Sequence, residues 1–404
     1  MSGLHPDASA DSGPKGVLSL LWSFLVLGCT SFGGPVAHIG YFRTTFVARK
    51  NWLSDETFAS YLSLCQFIPG PASSQLGMAI GYHRHGYAGA LAAWLGFTLP
   101  SALLLFSFAM LLTYDSVLLN SGVTQGLKVV ALAVIVQAFL AMRVSLAPDI
   151  PRLLIVVLAA ALFLVWRSPL APVCVLGLVG MFCAFVRREL PKQDASESCS
   201  SSSQREASAL ALVWLVLFFG IFLLALLPLG MLGEQFLAYY RSGAMVFGGG
   251  HVVLPLLEGE IVDAGWVDRN TFLTGYGAAQ AVPGPLFTFS AFLGASHESG
   301  AVGVAGALLA VAAIFLPSFL LLFGVLPFWS TLQHRSRVRS ALWGINAAVL
   351  GLLLATIINP VIQESIHDWA SLFLAILAFV ALYVFKAPVA LVVLGGALSG
   401  GLLL

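Results

Sequence analysis

The chain reads as an all-α, polytopic membrane protein with about 13 transmembrane segments, arranged as two inverted repeats with broken helices. Three observations predict this. Hydrophobic residues make up 59% of the 404 residues and charged residues only 9%. Apolar runs recur from residue 16 to the C-terminus. A set of proline and glycine motifs occurs twice in the same order. Soluble domains carry roughly 25% charged residues, so a chain with a mean hydropathy of +0.94 cannot cover itself in water. Its solvent is the lipid bilayer, whose hydrocarbon takes roughly 20 apolar residues to cross.

The elements follow in order. Residues 1–15 form a polar tail with Asp7 and Asp11, unlike the basic start of a cleaved signal peptide. Apolar runs cover 16–42, 58–82, 88–114, 125–147, 153–166 and 170–186. A charged, serine-rich linker (187–209) is too polar to enter a membrane or to fold alone. After it come 210–231, 234–257, 271–297, 300–326, 341–359, 370–385 and 387–404. The net charge of +1 and the lack of a dense basic tract predict no nucleic-acid partner. The five cysteines show no metal-site spacing, and neither a metal nor a cofactor is expected.

Self-comparison gives the domain plan. Phe32-Gly33-Gly34 recurs as Phe247-Gly248-Gly249, and Trp52, Thr57 and Phe58 recur as Trp266, Thr271 and Phe272. Gln66 with Pro69-Gly70-Pro71 recurs as Gln280 with Pro283-Gly284-Pro285, and Leu99-Pro100-Ser101 as Leu316-Pro317-Ser318. The chain therefore divides into repeats at 16–186 and 232–404, and 210–231 has no counterpart. Six spans plus one reverse the orientation of the second repeat. Loop charges agree, because Lys and Arg gather on the cytoplasmic side: the linker holds Arg187, Arg188, Lys192 and Arg205, and the C-terminal end holds no cation. Asp115 faces the counterparts Arg335, Arg337 and Arg339, and Arg152 faces Glu364 and Asp368. One pair conflicts: by span counting, the basic loop at 43–57 falls outside and its acidic counterpart inside. Either these segments are re-entrant, or their charges serve the transported ion.

Pro-Gly-Pro within an apolar run is the sharpest signal. Each proline removes a backbone donor and clashes with the preceding turn, costing a helix about 3 kcal/mol. Lipid does not tolerate irregular backbone at depth, so the break is covered by protein or lines a watery cavity. The residues after it, Ser73 and Ser74 in one repeat and Thr288 in the other, start a half-helix whose free N–H groups suit an anion. Transporters place sites this way between inverted repeats; a kink that only shapes packing is the alternative. Gln66 and Gln280 either bond the freed carbonyls or contact substrate. His38 and His251 are satisfied interior histidines or proton carriers. Gly300, Gly303, Gly306, Gly396 and Gly400 read as packing positions. Arg241 lies deep in an apolar stretch, where a cation is costly; it pairs with an anion or snorkels.

At FGGPVAHIGYFR (32–43), LCQFIPGPASSQLGMAIGY (64–82) and WLGFTLPS (94–101) the first half resembles the chromate ion transporter family. The stretch FGGGHVVLPLLEGEIVDAGWVDRNTF (247–272), followed by AAQAVPGP (278–285), is similar to the family's second-half signature. The resemblance implies a long-chain, two-domain member exporting chromate across the cytoplasmic membrane on the proton motive force. It marks Phe32–Pro35, Pro69–Pro71, Phe247–Gly250 and Pro283–Pro285 as the family motifs. Val26 stands where many relatives carry a base aligned with Arg241. The expected partners are the bilayer, a coupling proton (through Glu258, Glu260 or His251) and a small oxyanion, chromate or the isosteric sulfate. A homodimer is left open. No triad, zinc motif or P-loop is present, so the chain is not expected to be an enzyme.

Overall fold

The computed structural model describes residues 14–114, 122–166, 168, 171–186, 203–247, 250–297, 300–332 and 335–403. The polar tail before residue 14, the linker at 187–202, and Asp115, Arg167, Gly248, Gly249 and Glu298 lie outside the described residues. The described residues are helical and contain no strand.

In the first repeat the helices are α1 (Pro14–Thr30), α2 (Gly34–Phe42), α3 (Asp55–Phe67), α4 (Ala72–Tyr114), α5 (Gly122–Leu146), α6 (Ile150–Val165) and α7 (Ala171–Val186). Helix α8 (Ser203–Leu223) follows. The second repeat supplies α9 (Met231–Ala244), α10 (Val253–Leu257), α11 (Arg269–Ala279), α12 (Phe289–Ala295), α13 (Gly303–Val325), α14 (Ser336–Thr356), α15 (Trp369–Tyr383) and α16 (Val389–Leu403). Among the described residues five stretches are long and apolar enough to cross a membrane: 72–113, 122–146, 209–226, 303–328 and 336–365. The run 16–42, read as continuous, breaks at 31–33, and 58–82 breaks at Pro-Gly-Pro. The counterparts 234–257 and 271–297 break at equivalent places.

Local chemistry sets these boundaries. Ser54 accepts from the Thr57 N–H at 3.1 Å to start α3, and its counterpart Asp268 accepts from the Thr271 N–H at 3.0 Å to start α11. Asp368 starts α15; the Ser371 N–H at 2.7 Å holds its carboxylate below the usual range. Helix α4 bends at His85 and Gly86, where φ turns positive at the glycine, giving two limbs, 72–84 and 87–114.

Equivalent helices of the two repeats run antiparallel. The second limb of α4 lies along α13 with Tyr87 against Phe323 (4.8 Å between centroids) and Trp94 against Phe315 (5.6 Å) and Phe319 (5.5 Å). The start of α5 meets the far end of the 336–365 rod, where the Ser365 hydroxyl donates to the Lys128 carbonyl at 3.1 Å. The rear walls are exchanged. Helices α6 and α7 pack on α14, and α15 and α16 pack on α5. Glycines allow the close approach: a Cβ on Gly126 would meet the Gly400 Cα at 3.0 Å, and one on Gly180 would meet Ile345 Cδ1 at 2.9 Å. Gly396, Gly400 and Gly306 are packing positions, as read; Gly300 and Gly303 instead take positive φ in the turn before α13.

The conflicting loop has a geometric resolution. Arg84, at the end of the first limb of α4, lies over Trp52 at 5.5 Å, so α2, α3 and this limb share one end of the molecule. That end also holds the close of α13 and the start of α8, because Trp214 stacks near Phe323 at 5.8 Å. Its counterpart in the second repeat, Trp266 beside His297 at 5.7 Å, shares a cavity with residues 225–229, which follow the end of α8. Counting 16–42 and 58–82 as full crossings placed the 43–57 loop at the wrong end: Phe42 and Phe46 return beside Phe24, and His83 returns beside Tyr61, so each run folds back at its break.

Replacing Gly400 with Leu should separate α16 from α5 and destabilise the fold by about 1–3 kcal/mol or more. A lowered midpoint in detergent thermal melts, with Gly395→Leu as the open-surface control, checks this.

Candidate functional site

The two breaks meet. The Gly70 N–H donates to the Val246 carbonyl at 2.7 Å, and the Gly284 N–H donates to the Ser31 carbonyl at 2.9 Å. Gly70 and Gly284 are equivalent residues, as are Ser31 and Val246, so each Pro-Gly-Pro is tied to the glycine turn of the other repeat. Side-chain packing obeys the same exchange. A Cβ on Gly70 would fall 2.7 Å from Ser318 Oγ, and one on Gly284 would fall 2.9 Å from Ser101 Oγ, the serines of the two Leu-Pro-Ser motifs. Pro35 and Gly250 are also equivalent, and they face each other, with 3.7 Å from the Gly250 Cβ position to Pro35 Cγ. A local two-fold axis passes between them. Gly70 and Gly284 have φ of 125° and 97°, the left-handed region that favours glycine.

Polar side chains crowd this crossing. Gln75 Nε2 donates to the Pro69 carbonyl at 2.7 Å, one of the two roles read for Gln66, which itself lies exposed on α3. Gln280 is half-buried, with its side chain against Tyr276. Ser73 Oγ contacts His38 Nδ1 at 3.3 Å, and His38 Nε2 reaches the Ser31 carbonyl at 3.2 Å, so both ring nitrogens of His38 are engaged. His251 Nδ1 contacts Tyr276 Oη at 3.0 Å. Thr288 Oγ1 donates to the Pro285 carbonyl at 2.7 Å. The hydroxyls of Ser31, Ser74 and Ser318 and the Gln75 Oε1 are buried without a partner. Phe32 and Gly33 are exposed; Gly34, Pro35 and Phe247 are half-buried. Ser101 and Ser318 were visible in the duplicated Leu-Pro-Ser motif, but nothing in the sequence aimed them at the other repeat.

Arg241 does not stand beside the crossing as a free cation. Its Nε donates to Glu260 Oε1 at 2.8 Å and its Nη2 to Oε2 at 2.5 Å, a bidentate pair. The pair forms one wall of a cavity of about 650 Å³ that Glu234, Asp263 and Trp266 also line. Glu258 faces Arg269 at 3.4 Å. Thus the acidic residues expected to carry a proton are paired with arginines.

A family model described as Chromate transporter matches residues 18–184 and again 233–401. The chain belongs to the chromate transporter family. The two matches coincide with the two repeats, and α8 lies between them. The chain is 27% identical to the chromate transport protein of Pseudomonas aeruginosa over 96% of this chain and 93% of that one. It is 26% identical to a probable chromate transport protein of Synechococcus elongatus, over 93% of each chain. An uncharacterized transporter of Methanocaldococcus jannaschii is 28% identical over 96% of this chain and 94% of its own. No solved structure matches. Family membership makes the chain a multi-pass membrane transporter and not an enzyme.

Two outcomes test this geometry. Gly70→Ala and Gly284→Ala should each cost about 1–3 kcal/mol, from strained φ and the facing serine; Ser318→Gly should recover part of the loss in Gly70→Ala, read as melting midpoint. Arg241→Ala should cost about 3–5 kcal/mol by stranding the buried Glu260 carboxylate. Arg241→Ala combined with Glu260→Ala should regain stability, measured in the same assay.

Proposed function

We propose that the chain exports chromate across the cytoplasmic membrane, driven by the proton motive force, and so confers chromate resistance. The support is the reciprocal pair of hydrogen bonds, Gly70 to Val246 and Gly284 to Ser31, which brings both helix breaks to one place between the repeats. Unwound backbone gathered between inverted repeats is where transporters hold ions. The names of the relatives from Pseudomonas and Synechococcus favour chromate as the cargo.

The dianion passes the crossing between the turn Phe32–Pro35 and the start of α4 at Pro69–Pro71, Ser73 and Ser74. The second repeat contributes Phe247, Gly250, Gln280, Pro283–Pro285 and Thr288 to the opposite wall. Neutral donors, the free N–H groups at the head of α4 and the unpartnered hydroxyls, receive the oxyanion without a fixed counter-charge. Arg241 reaches an anion only by leaving Glu260. Sulfate is the second reading, because it shares the charge and tetrahedral shape of chromate.

Everted vesicles holding this protein should accumulate radiolabelled chromate when energised and lose it when the proton gradient is collapsed. Ser74→Ala with Ser318→Ala should lower uptake at least several-fold. No gradient-dependent accumulation removes the export reading. Full competition by equimolar sulfate assigns the cargo to the wider oxyanion class.

A further inference from the structure

Equivalent units of the two repeats stand in different surroundings. In the second repeat the unit is clasped. Helix α10 lies against α9 and α14, and α11 against α5. There a Cβ on Gly277 would meet the Leu127 carbonyl at 2.5 Å, and Lys128 Nζ donates to Asn270 Oδ1 at 3.2 Å. In the first repeat α2 and α3 pack on α4, and among the described residues α3 has no comparable packing on α14. One ion pair records the difference. Arg43 and Asp55 pair at 2.8 Å with side chains 62% and 64% exposed. Their equivalents Glu258 and Arg269, the same pair with its signs exchanged, are 9% and 38% exposed.

The uncovered face of α3 is largely polar. Asp55, Ala59, Ser63 and Gln66 recur along one exposed side of the helix. Helices facing lipid expose apolar chains, as α16 does with Leu391, Leu394 and Leu398. At the inner end of this face the backbone turn at Phe32 and Gly33 is exposed, so the opening reaches the crossing. Charge separates the two mouths. Arg43, Arg49, Lys50 and Arg84 outnumber Asp55 and Glu56 at the first-repeat mouth. At the other mouth Glu234, Glu258, Glu260 and Asp263 outnumber Arg241 and Arg269. A basic mouth concentrates anions and an acidic one repels them.

We propose that the α3 face with Arg49 and Lys50 is the open mouth through which a tetrahedral oxyanion reaches the crossing, and that transport exchanges the two surroundings. Helix α3 closes on α14 as α11 leaves α5, and the ion is expelled past the acidic mouth. The open mouth shares its end of the molecule with Arg335, Arg337 and Arg339, which marks it as cytoplasmic. This rests on the transport reading above and gives it a direction of capture.

The test uses single cysteines at the equivalent positions Ala59 and Leu273, in a full-length protein whose native cysteines are replaced. A membrane-impermeant maleimide applied to everted vesicles should label A59C at least roughly ten-fold faster than L273C. Saturating chromate or sulfate should slow A59C and speed L273C labelling in right-side-out vesicles. Equal labelling of the two, an unreactive A59C, or an A59C–A59C crosslink between two copies overturns the proposal. Arg49→Glu should raise the half-saturating chromate concentration roughly ten-fold at low salt, with the gap closing at high salt and the maximal rate kept; a salt-independent effect removes the steering role. If the vesicles move no chromate while sulfate still shields A59C, the cargo assignment fails and the mouth stands.

Discussion

Everything in this molecule depends on satisfying peptide groups where two helices are cut open inside a bilayer. Each unpaired N–H or carbonyl in hydrocarbon costs several kcal/mol; Gln75 and Thr288 satisfy some of these groups within their own repeat, and the glycine N–H groups of the two breaks take partners from the other. The solution is exchange: Gly70 finds Val246 and Gly284 finds Ser31, across a local axis marked by Pro35 facing Gly250. Only duplication makes such an exchange possible, because what one half lacks, the other half presents in the matched place. The glycines and prolines of the motifs are the residue types that allow the turn, and the facing serines of the Leu-Pro-Ser motifs fill the space a side chain would need.

Symmetry of backbone does not extend to charge. The pair Arg43–Asp55 becomes Glu258–Arg269, at equivalent positions and with the opposite polarity. Inside one chain this keeps bases at one end and acids at the other although the helices themselves are inverted. Opposite signs at the two ends are what the positive-inside bias requires of an oriented membrane protein.

Much of this was legible beforehand. Composition gave the class, and the repeated strings at 32–71 and 247–285 gave the duplication and the breaks. The glycines Gly396 and Gly400 announced close packing. Span counting misplaced the 43–57 loop because hydropathy cannot distinguish a run that crosses from one that turns back, and 16–42 and 58–82 both turn back at their breaks. The partner of Arg241 was out of reach for another reason. Glu260 lies nineteen residues on, in a π-helical turn whose register no periodicity reveals, so a cation that looked free is held by two hydrogen bonds. Gln75 and Gln66 both flank Pro-Gly-Pro, and only the fold shows which amide faces the break.

The exchanged rear walls have a further consequence. Because α6 and α7 lean on α14 while α15 and α16 lean on α5, each half wears the other's back. Cutting the chain within 187–202 would leave two fragments that each expose the bare flank of a long helix. Such fragments would be obliged to co-insert and re-knit, and a lone repeat could regain its missing flank only from a copy threaded through the membrane the other way up.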